Sequence, residues 1–311
     1  MISLRQHAIS LIAVFLALAV GLFLGSGFVG DRVNSITGTS RDRLGDVEKQ
    51  RDDLNEQVNA ANSFGAAVAP RLIAGTLRGD SVLVVTAPGA AEADVDAVKE
   101  SISGAGGRFA GQLAVTDTLV RDQKAEELRT IVDQTIPGGT TLRSELTDSG
   151  GRVGDLMGAL LLHADAQSAA STDDVRLGLQ ALREGGFVDY ADGALSAADL
   201  VVVVTGDALS EDAGAQGQLT ARMAAAMAAR AQGGVLVGRT GSTAGGSPVA
   251  VVRSDPSLGN AVSTVDNVDQ QTGRITTMLV LQQEADGHTA AYGTGAGARA
   301  ITVGGGSGPA A

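Results

Sequence analysis

The sequence predicts an α/β protein: an N-terminal transmembrane helix, a short coiled-coil segment, then a three-layer α/β domain with a mostly parallel sheet. Three observations lead there. One uncharged run of membrane length lies near the start of the 311-residue chain. A charged stretch with heptad-spaced apolar residues follows it. Beyond about residue 65, short and continuously apolar runs alternate with helical stretches. Strands that are apolar throughout are buried on both faces, as in parallel sheets covered by helices. Their regular alternation with helices gives right-handed crossovers and three layers. The expected divisions are an anchor over 1–30, a coiled-coil segment over 31–64, a soluble α/β domain over 65–303 and a flexible Gly-rich tail over 304–311.

The anchor is the run AISLIAVFLALAVGLFLGSGFV, 22 residues from Ala8 to Val29 without a charge. At about 1.5 Å per residue it covers the roughly 30 Å hydrocarbon core of a bilayer. The apolar core of a cleaved signal is about 7–15 residues, so length favours an uncleaved anchor, although Ala17-Leu18-Ala19 imitates a cleavage site in mid-run. Gly21 and Gly25 form a G-x-x-x-G, which permits close helix–helix approach in lipid. Arg5 and His7 precede the run; Arg32, Arg41, Arg43 and Lys49 follow it, interleaved with acids. Positive charge alone does not orient it, but long downstream domains translocate largely regardless of charge. The expected topology is single-pass, with the bulk of the chain extracytoplasmic in the cell envelope. Which membrane holds the anchor is open.

From Val33 to Phe64, apolar residues recur at Val33, Leu44, Val47, Leu54, Val58 and Ala61, with spacings of three, four and seven among the later ones. This is the seam of a short coiled coil, for a protein partner or self-association, or else the face of an amphipathic spacer. Thr37, Ser40 and Arg51 interrupt it, which argues against a long autonomous zipper.

The domain elements follow in order. Ser81–Thr86 reads as a buried strand, Glu92–Ser103 as a helix stopped by Gly104-Ala105-Gly106-Gly107, and Phe109–Val115 as a second strand followed by a charged helix through Ile131. Helical segments lie between about Val153 and Leu182. Ala198–Thr205 holds the clearest buried strand, and an Ala-rich helix spans about Gln216–Ala231. Gly234–Arg239 and Pro248–Arg253 are expected as further strands, and Arg274–Glu284 as a helix before the final AYGTGAGARAITV. Aromatics at 3% and the absence of Trp exclude a transmembrane β-barrel, which needs aromatic girdles and alternating strands.

No catalytic constellation emerges. The chain has no cysteine, which removes thiolate metal sites and Cys nucleophiles. A net charge of −12 disfavours nucleic acid as a partner and adhesion of the domain to anionic lipid. G-x-S-x-G, the phosphate-loop motif and H-E-x-x-H are absent. His163, following ALLL, reads as a core-edge histidine; His288 lies near Asp286 and Tyr292. The acids Asp94/Asp96, Asp173/Asp174, Asp266 and Asp269 read as solvated. Gly293-Thr294-Gly295-Ala296-Gly297 is too close to the C-terminus for a dinucleotide fingerprint and reads as a tight turn before a last short strand. Gly238–Gly246 reads as a loop between two strands. Met223 and Met227, one turn apart, read as core filler in preference to a Cu(I) site, which needs two or three converging donors. The expectation is a protein that is not an enzyme.

The stretches MISLRQHAISLIAVFLALAVGLFLGSGF, VVVVTGDALSEDAGAQG, STVDNVDQQTGRITTMLVLQ and AYGTGAGA resemble the actinobacterial copper transport protein B family (MctB, also described as SteB) over almost the whole chain. The resemblance implies a role in copper transport or efflux and copper tolerance, in a family also described as outer membrane. It implies alternatively a single-pass regulator of a peptidoglycan hydrolase and of cell separation, acting with a membrane partner. Copper as a bound species is implied by the resemblance only, with no ligand set to carry over. One apolar helix without a polar stripe does not line a pore by itself, so the residues favour action through protein–protein contacts.

Overall fold

Val and Leu fill the interior strands without a polar break, and side chains of such strands alternate between two faces that both need cover. In this computed structural model residues 28–164 and 170–304 are described, with side chains from Gly45 on except Glu211. β1 (Ser81–Thr86), β4 (Leu200–Val204) and β5 (Gly233–Val237) are buried at every position. They pair in parallel, β1 with β4 and β4 with β5. β2 (Arg108–Val115) lies parallel beside β1, and β6 (Ser263–Val265) and β7 (Ala291–Tyr292) extend the sheet beyond β5. The two-residue β3 (Val188–Asp189) closes the opposite edge, antiparallel to β2. The seven strands run in the order β3-β2-β1-β4-β5-β6-β7, the mostly parallel sheet that the sequence predicts.

The chain divides into two compact units, residues 1–61 and 62–311. Helix α1 runs from Phe28 to Ile73, past the expected end of the coiled-coil segment at Phe64. Within the second unit its last turns bury Ala69 and Ile73, and Asn62 Oδ1 accepts the Gln271 N–H at 3.0 Å. The other helices are α2 (Glu92–Gly104), α3 (Asp117–Val120), α4 (Ala125–Gln134), α5 (Ser149–Leu161), α6 (Thr172–Glu184), α7 (Gln216–Ala228), α8 (Pro248–Ser254), α9 (Pro256–Gly259) and α10 (Gln271–Ala285).

Alternation along the strands divides the core into two. Leu83, Val85, Val201, Val203 and Leu236 face one side and pack with α4 through α8. Val82, Val84, Leu200, Val202, Val235 and Val237 face the other, with Ile73, α2 and α10. The expected anchor over residues 8–29 lies almost wholly outside the described residues, as do Gly21 and Gly25. Among the described residues no helix is long and apolar enough to cross a membrane.

The stretch Pro248–Arg253, expected as a strand, is helix α8. Pro248 occupies its first turn, where a missing N–H has no partner to lose, whereas a proline in a central strand removes a ladder bond. Gly238–Gly246 therefore joins a strand to a helix. β6 takes the expected place in the sheet; with Ser263 and Thr264 among its three residues it carries no continuous apolar run.

Helix α5 meets α7 through Gly150, Gly154 and Gly158, one turn apart on one face. A Cβ on Gly150 or Gly154 would stand 2.5 Å from the carbonyl oxygen of Leu219 or Met223. The helices thus meet backbone to backbone. Gly154→Ala should destabilise the protein by about 1–3 kcal/mol through overpacking, although alanine is the better helix former by about 1 kcal/mol. Denaturant titration reads the change, and a stability equal to or above the parent would mean that the contact relaxes freely.

Candidate functional site

Two features stand out: an apolar seam on α1 and a set of charged clusters around the rim of the sheet. On α1, Val47, Leu54 and Val58 are 62%, 60% and 46% exposed. Ala61 is exposed as well, as is every residue from 45 to 61. Leu44 lies in the helix, its side chain outside the described residues. Arg51 interrupts the seam and turns its guanidinium to Asp52 Oδ1 at 2.7 Å.

The stretches STVDNVDQQTGR and AYGTGAGA come together in the fold. Asp266, just after β6, accepts N–H groups from Thr294 at 2.8 Å and Gly295 at 3.0 Å. Arg253 of α8 pairs with Asp266 Oδ2 at 2.6 Å, both side chains nearly fully buried. The same guanidinium donates to the carbonyls of Tyr292 and Ala296 and to Thr264 Oγ1. Gly293 has φ 126°, and a Cβ there would collide with the Asp266 carboxylate. The glycine turn is thus a wrapping for a buried ion pair. It follows β7 instead of preceding the last strand, and returns the chain so that Ala300 bridges Tyr292.

Among the other acids expected to be solvated, Asp94 is buried, whereas Asp96 and Asp173 are exposed as expected. Asp94 is 5% exposed at its side chain and lies 2.9 Å from Arg239 Nε and 3.4 Å from an Arg274 nitrogen. It is not a solvated carboxylate, because α2 presses its first turn against α10. Burial would lower the Arg239 pKa, but Asp94, then Asp207 and Asp269, hold it above its ordinary value. Asp269 accepts from Thr240, Asp96 meets Lys99, Asp173 meets Arg176, and Asp174 accepts from Ser171 Oγ.

The fully buried Asp155 on α5 was not singled out by motif. It pairs with Arg143 Nε at 2.9 Å and Arg230 Nε at 2.7 Å. Burial pushes its pKa up, and the hydrogen bonds from Arg230 and the Arg143 N–H overcome this to hold it below the carboxylate norm. A lone Asp inside GDLMGALLL is the signal that points to such a site, since a charge on an apolar helix face needs a partner.

His163 sits at the core edge as expected, its Nδ1 3.4 Å from Asp199 Oδ1. Asp199 Oδ2 accepts both Ser81 Oγ–H and Ser81 N–H, so this serine is tied to the acid and not to the imidazole. His288 is exposed, and Tyr292 donates instead to Gln283. Met157, Met223 and Met227 share one core at zero exposure, while Met278 belongs to the core on the other face. Among the described residues no three His, Cys, Asp or Glu gather as a metal site. At the carboxyl ends of β1 and β4, where the strand order reverses, a crevice of about 220 Å³ is lined by Pro88, Gly89, Thr205 and Asp207. Its floor is closed where Gly206 meets the Gly89 carbonyl.

Glu284 of α10 is buried and accepts the Ser263 N–H at 2.9 Å. Burial raises its pKa to about 7, against the hydrogen bonds from Ser263 and Gly234, which lower it. The folded state therefore keeps a proton that the unfolded chain releases from about pH 4.5 upward, and stability falls across pH 4.5–7 by about 3 kcal/mol in total. Glu284→Gln should flatten that slope and stabilise the protein above pH 7, as read by denaturation at pH 5 and pH 8. A slope unchanged in the variant would assign the titration elsewhere. Asp266→Ala leaves Arg253 buried without its counter-charge and should cost about 3–5 kcal/mol; chemical denaturation reads this, and a loss below 1 kcal/mol would mean that water replaces the carboxylate.

Comparison with known proteins places this geometry among relatives. Residues 1–303 match the family described as "Copper transport outer membrane protein, MctB". The chain is 43% identical to the copper transporter MctB of Mycobacterium tuberculosis (strain H37Rv), over 97% of this chain and 99% of that protein. It is 42% identical to the copper transporter MctB of Mycobacterium leprae (strain TN), with the same coverage. These descriptions speak of copper transport, and none of them speaks of a cell-wall hydrolase.

Proposed function

The chain belongs to the copper transport outer membrane protein family, MctB, and on that footing we propose that it serves copper handling in the cell envelope without enzymatic chemistry, as a single-pass protein acting through contacts with other proteins. The uncharged run at residues 8–29 is long enough to span a bilayer, which supports the anchor. The exposed seam of Val47, Leu54 and Val58 is the observation that carries the contact reading. Large apolar side chains at heptad spacing are costly in water unless covered.

The rim clusters support the same view, because their carboxylates are already committed to arginines and backbone N–H groups. A chemical role needs groups free to exchange protons or ligands with a substrate. The thioethers of Met157, Met223 and Met227 suit Cu(I) by softness, but they are closed off in a core. Copper is therefore read as the cargo of an assembly in which this chain is one contact-making part.

The test replaces Val47, Leu54 and Val58 together by serine in the full-length chain, in a strain lacking its own copy. Copper tolerance and proteins cross-linked to the chain in native membranes are then compared. A lower tolerated copper concentration and loss of cross-linked protein, at unchanged protein level, is the expected result. Parental tolerance with unchanged cross-links would reject the seam as the working surface. Stoichiometric binding of Cu(I) by the purified chain would instead make it a direct cargo binder.

A further inference from the structure

The residues flanking the α1 seam identify what covers it. With Val47, Leu54 and Ala61 at d positions and Arg51 and Val58 at a, the charged Lys49, Asp52, Asp53 and Glu56 fall at the outer b, c and f positions, while Glu48 falls at e, where the g position of the preceding heptad is the oppositely charged Arg43. The g positions are Gln50 and Gln57, and the e positions of the following heptads are Asn55 and Asn62. In a parallel pair, g of one helix meets e of the next heptad of its partner, so Gln50 faces Asn55 and Gln57 faces Asn62. Uncharged amides meet at these flanks, and the like charges brought together within the seam are the two copies of Arg51, at the a position. A self-pairing surface must keep like charges from meeting at its flanks, since each residue meets its own copy's complement. Arg51 supplies the single polar a position, a device that fixes register and a low oligomer number at some cost in stability. Its charge is drawn outward by Asp52.

We infer that α1 pairs over Val47–Ala61 with α1 of a second copy of this chain, as a parallel, in-register two-stranded coiled coil. This rests on the anchored, contact-making reading above, which also sets the direction: helices that leave the same face of one bilayer run the same way. The seam covers 15 residues, about 22 Å of helix. Two heptads associate weakly between free chains, and co-anchoring raises their effective concentration. The homodimer thus belongs to the membrane-bound protein.

The chain contains no cysteine, so one introduced thiol reports one position. Val47→Cys, Leu54→Cys and Glu56→Cys variants of the full-length protein are oxidised in native membranes and run on non-reducing gels. In-register pairing brings residue 47 to its own copy and residue 54 to its own copy, within disulfide reach. It leaves residue 56 on the far face. The expected result is a dimer band for Val47→Cys and Leu54→Cys and its loss for Glu56→Cys. Equal bands for all three variants, or none for the seam pair, would overturn the inference. Bands that appear only when Val47→Cys and Val58→Cys chains are mixed would show an antiparallel pair and overturn it too. If the seam thiols give no dimer while the triple serine variant still loses copper tolerance, the seam serves a different protein: the homodimer then fails and the contact function stands.

Discussion

A sheet whose three inner strands are buried at every position cannot have a solvent face, and the rest of the domain follows from that constraint. Each strand sends alternate Val and Leu side chains to opposite sides, so helices must lie on both. The β1–α2–β2 crossover covers one side, and the α7 crossover between β4 and β5 covers the other. The change of side creates the crevice beside Gly89 and Gly206. On the face that α7 covers, α5 and α7 approach closely, and Gly150 and Gly154 let carbonyl oxygens stand where Cβ atoms would be.

With both faces apolar, charge is confined to the rim and to a few buried points, each with its counterpart. Arg253 and Asp266 tie α8, β6 and the glycine turn into one knot. Arg143 and Arg230 hold Asp155 from the loop before α5 and the loop after α7. Removing one partner of such a pair costs far more than the pair contributes net. These arginines are therefore explained by the architecture. Glu284 is different: it has backbone N–H partners and no cation among its hydrogen-bond partners, so its proton is linked to burial of the helix that carries it.

The fold was legible where physics repeats itself. Continuous Val/Leu runs marked β1, β4 and β5, and the glycine clusters marked helix ends. β3 and β6 escaped because two or three residues, half of them polar, form no run to recognise. Pro248–Arg253 misled because PVAVVR is equally apolar as a helix packed on a core, and periodicity does not decide so short a stretch. Pro248 itself held the answer, as a first-turn residue behind Ser247. The seam residues of α1 were legible by spacing, and the structure adds their exposure. The partners of Asp94, Asp155 and Asp266 were not legible, because they come from elements far away in sequence, as Arg274 does for Asp94.

The division of labour within the chain follows from these two patterns together. In the α/β domain, most large apolar side chains are consumed by two cores, and the few buried charges find partners there. In α1 every described residue from 45 to 61 is exposed, Val47, Leu54 and Val58 included. Covering these three side chains would lower the free energy of the helix. The proposed contact surface thus lies on the segment nearest the uncharged run at residues 8–29, where a bilayer would restrict encounter to a plane and hold the helices in a common direction. A seam of two heptads, too short to join free chains firmly, would pair where an anchor holds its neighbours beside it.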